Sequence, residues 1–360
     1  MKIAISQTHP IDAPHNLSTV LTSPDYDIFA NIRQNLAGVS HAVKTASDRD
    51  ASLVVFPEYF TQGSLSGRGY LAQPAQHILQ ELVKLAKQFN VAIAGTIVEP
   101  EDSEHPESSP FSSEAPSSTR KEWNDFIRDS HPNAFGSLQV PLHDRSSDDK
   151  DLPGDDQQSE GLRRLLNVAY FIEGGTGKVI GRYVKKNLWI SEREYLHPGS
   201  DEHTVFRWGD VTVGLLICWD LAHPLAAQSL AKQGADIIVA PTYWLSTDSE
   251  PASLEFNAPP DYEYQLLQAL AYSRAFETET ALIMCNAGGS EALMGGSGIW
   301  MPFKGKLTGK TITSQDEDSL TDLRIYEVDL GLLSVARKTY KIREDWEASG
   351  SALLKDSMGR

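Results

Sequence analysis

The chain has 360 residues, 40% of them hydrophobic, and a formal net charge of -17. That length allows one large domain or two ordinary ones, with enough apolar residues for a sizeable core. The negative charge disfavours nucleic acid as a partner, because phosphates would be repelled, and no run of 18 apolar residues is present to span a membrane.

The first residues, "MKIAISQTHP", start a strand at Ile3–Ser6. They lack a basic segment followed by a long apolar one, so no signal peptide is expected and a cytoplasmic protein is. Residues 31–48 have the spacing of an amphipathic helix, and "SLVVF" at 52–56 has that of a buried strand. "ILQELVKLAKQF" at 78–89 is again helical, and "VAIAGTIV" at 91–98 is a strand. "NVAYFIE" at 167–173 and "VIGRYVK" at 179–185 flank "GGTG", which predicts a hairpin. "VTVGLLIC" at 211–218 reads as a strand running into the interior. The helical "PLAAQSLAKQGA" follows, and then the strand "DIIVAP". Residues 262–278 form one more helix, and "TALIMCN" and "GSGIWMP" are strands. This alternation indicates α/β layers.

Residues 101–160 break the pattern. They hold 15 acidic against 5 basic residues, with many Ser and Pro. Such a composition buries little. The expected organisation is one domain over 1–345, with an acidic, mobile insertion at about 101–160 and a polar tail at 346–360. A short helix at "TRKEWNDFIRD" is the one element expected inside the insertion.

In open α/β folds, ligands gather at the C-terminal ends of strands. Here "SLVVF" leads to Pro57 and Glu58, and "VIGRYV" leads to Lys185 and Lys186. "VTVGLLI" leads to Cys218, Trp219, Asp220 and His223, and "DIIVAP" to Thr242, Tyr243 and Trp244. A carboxylate, an amine and a thiol thus each follow an apolar strand. A thiol has an ordinary pKa of about 8.5, and a nearby carboxylate can take its proton and later give it to a leaving amine. A lysine ammonium and a backbone N–H can hold the oxyanion between those steps. Taken singly, each residue has a plainer role: a lone cysteine is usually a small buried hydrophobe, and a Glu or Lys after a strand is usually solvated. The two cysteines, Cys218 and Cys285, form no CxxC pair, which argues against a disulfide framework or structural zinc. Cys285 reads as core, Arg274 as a structural hydrogen-bonder and His223 as a helix-entry contact.

The ordered set "LVVFPEYF" (53–60), "GRYVKKNLW" (181–189), "GLLICWDLAHP" (214–224) and "GADIIVAPTYW" (234–244) resembles the nitrilase superfamily of carbon–nitrogen hydrolases. "AYSRAFET", "ALIMCNAGG" and "GGSGIWMP" are weaker echoes. The resemblance implies a four-layer α-β-β-α sandwich, no cofactor or metal, and association into a homodimer or larger homo-oligomer. It implies Cys218 as nucleophile and Glu58 as general base. The family's K-x-x-L spacing selects Lys185 through Leu188. A second glutamate before a Pro-Gly turn is Glu192 or Glu194, with Glu192 the better spaced. Trp219, Tyr243 and Trp244 fall at substrate and oxyanion positions.

Two departures stand out. Pro224-Leu225 replaces the usual Pro-Glu, and Cys218-Trp219-Asp220 replaces the Cys-Trp-Glu of the nitrile-specific branch. The implied function is hydrolysis of a non-peptide C–N bond in a small amide. N-carbamoyl hydrolysis and nitrile hydrolysis are the nearest alternatives. An inactive scaffold relative and a Cys–His acyltransferase using His223 are the alternatives from other classes.

Overall fold

Along the first strand, β1 (Lys2–Thr8), successive side chains enter two different cores. Ala4 belongs to one, and Ile3 and Ile5 to the other. A strand buried on both faces needs an unbroken apolar run, which is what the sequence shows. The computed structural model describes residues 1–13, 29–66, 68–101, 164–312, 321–346 and 348. The expected insertion at 101–160, the short helix within it and nearly all of the 346–360 tail lie outside the described residues.

After β1 come α1 (Ala30–Ser47), β2 (Leu53–Val55), α2 (Ala75–Phe89) and β3 (Ala92–Pro100). Asn90, left-handed at φ 52°, ends α2. The hairpin of β4 (Leu165–Ile172) and β5 (Val179–Val184) follows, antiparallel as expected. Next are β6 (Val205–Trp208), β7 (Val211–Leu215), α3 (Pro224–Lys232), β8 (Ile237–Thr242), the short α4 (Ala252–Glu255) and α5 (Tyr262–Thr278). The chain continues through β9 (Ala281–Asn286), β10 (Gly298–Met301), β11 (Gly305–Lys306), β12 (Lys310–Ile312), β13 (Thr321–Glu327) and α6 (Gly331–Tyr340).

Two sheets result, ordered β12-β13-β1-β2-β3-β4-β5 and β11-β10-β9-β8-β7-β6. The central strands are parallel in each: β1, β2 and β3 in the first, β7, β8 and β9 in the second. Helices α1 and α2 cover the outer face of the first sheet with Ile32, Val39, Val43, Ile78, Leu79 and Leu82. Helices α3 and α5 cover the second with Ala226, Ala227, Leu230, Leu267 and Ala271. Between the sheets, Ile3, Ile5, Leu53 and Val55 belong to the same core as Ile237, Val239, Leu282 and Ile283. This is the expected four-layer α-β-β-α sandwich. No helix among the described residues is long and apolar enough to cross a membrane.

One strand boundary differs from expectation. The run "VTVGLLIC" leaves strand geometry after Leu215, although Leu216 still donates its N–H to Val239 O at 2.9 Å. Leu216 and Ile217 stay fully buried, so the apolar pattern runs past the strand that carries it. Cys218 opens a 3-10 turn, Cys218–Ala222.

Candidate active site

Glu58 is delivered by β2. Phe56 extends the pairing with an N–H to Ala94 O at 2.9 Å, and Pro57 supplies no further donor. Glu58 then crosses to the other sheet, its N–H donating to Thr242 O at the end of β8 at 3.2 Å. Tyr59 adopts φ +61° and donates its N–H to Thr96 Oγ1 at 3.0 Å. A left-handed tyrosine is strained and persists only where its surroundings over-determine it. The turn leaves the Glu58 side chain 1% exposed between the sheets.

Lys185 follows β5 directly. Its N–H donates to Asn167 O at 2.9 Å on β4. The Asn167 side chain donates to Glu58 Oε1 at 2.7 Å. Lys185 Nζ donates to Glu58 Oε1 at 2.8 Å and to Glu192 Oε1 and Oε2 at 2.8 and 2.7 Å. Glu192 sits in a second 3-10 turn, Ser191–Glu194, and also accepts Trp189 N–H at 2.8 Å and the Tyr59 hydroxyl. The alternates separate cleanly: Lys185 and Glu192 are buried together, while Lys186 is half-buried and Glu194 exposed.

Cys218 enters from the second sheet at φ +45°, another left-handed non-glycine residue. Its thiol lies beside the Glu58 carboxylate and the backbone N–H of Tyr243, with Lys185 and Glu192 close enough to act on its charge. The partly exposed Trp219 packs between Trp189 and Trp244, with ring centroids 4.5 and 5.1 Å away. Asn286 holds the loop after β8 by accepting Trp244 N–H at 2.8 Å, and Tyr243 meets Tyr59 edge-on at 5.5 Å. The Trp244 indole donates to Glu263 at 2.7 Å.

Burial sets the electrostatics. It pushes the Glu58 carboxyl up to about 7, with Lys185 opposing and Glu192 adding to the rise. It also pushes the Cys218 thiol well above its ordinary value; Glu58 adds to this, and Lys185 and the Tyr243 N–H oppose it. Burial alone would lower Lys185. The combined field of Glu58, Cys218 and Glu192 overrides that and holds its ammonium charged. The cluster therefore has a fixed cation, a carboxyl poised near neutrality and a thiol that needs a base.

Cys285 is fully buried in the core and donates weakly to Ser6 O at 3.4 Å. Arg274 has the structural part expected of it, donating to Leu221 O and pairing with Glu277. His223 stands at the entry to α3, but its side chain makes no capping hydrogen bond; it is exposed beside Trp219. Asn167 and Tyr59 take part in the site although no local sequence pattern marks them, whereas Asp220, one of the polar residues expected after the strand to Cys218, supports it from beside the nucleophile. Among the described residues, no group of three or more His, Cys, Asp or Glu is arranged to hold a metal ion.

A probable nitrilase of Schizosaccharomyces pombe is 32% identical over 167 residues, and an (R)-stereoselective amidase of a Pseudomonas species 29% over 168. Each match covers 46% of this chain and 53% of the relative, so the chain spans about half the length of the curated relatives it matches. Among solved structures, an amidase from a Nesterenkonia species superposes with a TM-score of 0.56 at 17% identity, covering 96% of both chains. A glutamate-to-glutamine mutant of that amidase carries acrylamide added at its active-site cysteine. The family model described as carbon-nitrogen hydrolase matches residues 2–111 and 156–338. The chain belongs to the carbon–nitrogen hydrolase family.

Proposed function

We propose that the chain hydrolyses the C–N bond of a small non-peptide amide through a thioester on Cys218. The observation that carries this reading is the Lys185 ammonium bound to both Glu58 and Glu192, with the Cys218 thiol beside Glu58.

Glu58 takes the thiol proton as sulfur attacks the carbonyl carbon. The carbonyl π pair moves to oxygen, where Lys185 and the Trp219 N–H receive the charge. Removing one such donor typically costs about 3–4 kcal/mol of transition-state stabilisation. The protonated Glu58 then gives its proton to the leaving nitrogen, the C–N bond breaks and ammonia or an amine departs. Water attacks the thioester with Glu58 again accepting a proton, and the acid and free thiol are released. A carboxyl poised near 7 suits both directions of transfer. Glu192 holds Lys185 in place.

Amide rather than nitrile chemistry is favoured by Asp220 at the position where the nitrile-specific branch carries glutamate. Supplying matched amides, N-carbamoyl amines and nitriles and assaying released ammonia tests the reading. Turnover of simple amides, abolished in Cys218→Ala, is expected. Turnover of nitriles alone would overturn the amide assignment.

We also propose a homo-oligomer. Tyr272, Phe276, Phe303 and Tyr340 are exposed on the α5 side of the second sheet, with Tyr340 5.1 and 5.2 Å from Phe276 and Phe303. Such a contiguous aromatic surface is costly in water. Light scattering of the purified chain would read a dimer or larger species; a monomer at micromolar concentration would refute it.

A further inference from the structure

Asp220 is fully buried two residues beyond the nucleophile and accepts four hydrogen bonds. Oδ2 takes Ile217 N–H at 2.9 Å and the Tyr183 hydroxyl at 2.8 Å. Oδ1 takes the Asn187 N–H at 3.1 Å and its side-chain amide at 2.8 Å. All four donors are neutral. A carboxylate desolvated among neutral donors depends on every one of them, and such charge-assisted bonds are roughly twice as strong as neutral ones.

The positions of the donors matter more than their number. Ile217 immediately precedes Cys218. Tyr183 lies two residues before Lys185, and Asn187 two after it. The carboxylate therefore grips both flanks of the lysine segment and the start of the nucleophile turn, and touches neither reacting group. The two segments come from different sheets, β5 in one and β7 in the other. The Asp220 N–H returns a bond to Ile217 O at 3.0 Å, which closes the turn around the left-handed Cys218.

The grip is itself braced. The Tyr183 proton is committed to Asp220, so His203 Nε2, 3.1 Å from the same hydroxyl, carries the proton of that contact. The His203 ring stacks on Tyr183 with centroids 5.2 Å apart.

We infer that Asp220 is a positioning residue that sets the separation of Cys218 from Lys185 by clamping their two segments together. This rests on the proposed hydrolysis at Cys218. A misplacement of about 1 Å at a reacting centre costs about 100-fold in rate.

The test uses the full chain with Asp220→Ala, Asp220→Asn and Asn187→Ala, each assayed well below its own Tm. Two readouts are taken: kcat and KM for a turned-over amide, and the rate of Cys218 alkylation by iodoacetamide followed on the Cys218 peptide by mass spectrometry. Asp220→Ala loses every acceptor, and kcat and alkylation should each fall about 100-fold or more, with KM within about threefold. Asp220→Asn keeps an oxygen for Ile217 and Tyr183, but sets an NH2 group against the Asn187 N–H. It should recover about tenfold of both rates relative to Asp220→Ala. Asn187→Ala, which removes one donor only, should fall by about tenfold and serves if Asp220→Ala does not fold. Variants that lose Tm but keep kcat and the alkylation rate within twofold would make Asp220 merely structural and overturn the proposal. Hydrolysis retained in Cys218→Ala would instead sink the thioester reading, and the alkylation rates would still report on the clamp.

Discussion

Lys185 and Glu192 lie seven residues apart in the chain, and their charged groups lie 2.7 Å apart in the interior. The same ammonium reaches Glu58, so one buried cation offsets two buried carboxylates. Removing one member of a buried ion cluster is costly because the others remain desolvated. Lys185→Met should abolish activity and lower stability by about 3–5 kcal/mol. Lys186→Ala, at a half-buried position, should stay within about 0.5 kcal/mol and keep most activity. Denaturant melts and ammonia release on both variants check this. A larger activity loss at Lys186 would reverse the assignment.

The two cysteines should behave oppositely. Cys218 meets the Glu58 carboxylate within the field of the Lys185 ammonium, whereas Cys285 meets Ser6 O inside the core. Cys218→Ala should give no turnover with the fold intact. Cys285→Ala should remain active with a stability loss of about 1 kcal/mol. Circular dichroism melts and initial rates separate the two effects, and an inactive Cys285 variant beside an active Cys218 variant would refute the nucleophile.

Through Glu58, both activity and stability should depend on pH. Its carboxyl titrates at about 7 in the folded chain, against an ordinary 4.5. As the proposed general base it must be ionised, so kcat/KM should rise with pH and level off above about 7. Stability runs the other way. The folded state holds this proton more tightly, so the Glu58 contribution is full below 4.5 and is lost as pH rises to about 7. Glu58→Gln should lower kcat by about 100- to 10,000-fold and remove that part of the stability slope. Rate profiles and melts between pH 4 and 9, as roughly spaced series, read both. An unchanged stability slope in the variant would assign the titration to another group.

Much of this was legible in the chain because strands buried on both faces leave long apolar runs, and each run ends where polar residues become useful. Glu58, Lys185 and Cys218 stand at three such ends. What was not legible depends on contacts distant in sequence. Asn167 touches Glu58 from 109 positions away, and Asp220 touches Asn187 from 33. No local pattern marks either asparagine. Strand β7 ends before its apolar run does, because burial continues through Ile217 after the pairing geometry has changed, and apolarity reports burial rather than backbone shape. Strands β6 and β11 to β13 leave no clear apolar pattern because they are short or, like "TDLRIYE", carry charges through their length. Choosing Lys185 over Lys186 needed the family spacing, since two adjacent lysines look alike until one is seen buried.

The junction of β3 and β4 offers a test of the expected insertion. Pro100 pairs with Leu165, Glu101 N–H donates to Arg164 O at 2.8 Å, and the two side chains form an ion pair at 3.0 Å. The chain therefore leaves and re-enters the sheet at adjacent points of one antiparallel ladder. A two-residue Asn-Gly turn closes such a ladder without strain. Replacing residues 102–163 with that turn should preserve the β3–β4 pairing and both cores. The composition of the removed piece, acidic and Ser-rich, points to little buried area. The shortened chain should fold with a Tm within about 4 °C of the full one, equivalent to about 1 kcal/mol. It should keep Cys218 alkylation, because the clustered side chains come from β2, β5, β7 and their following turns. Melting curves and iodoacetamide kinetics decide it. An unfolded or aggregated product would mean that the segment contributes to the core, and the division of the chain into a domain and an insertion would be wrong.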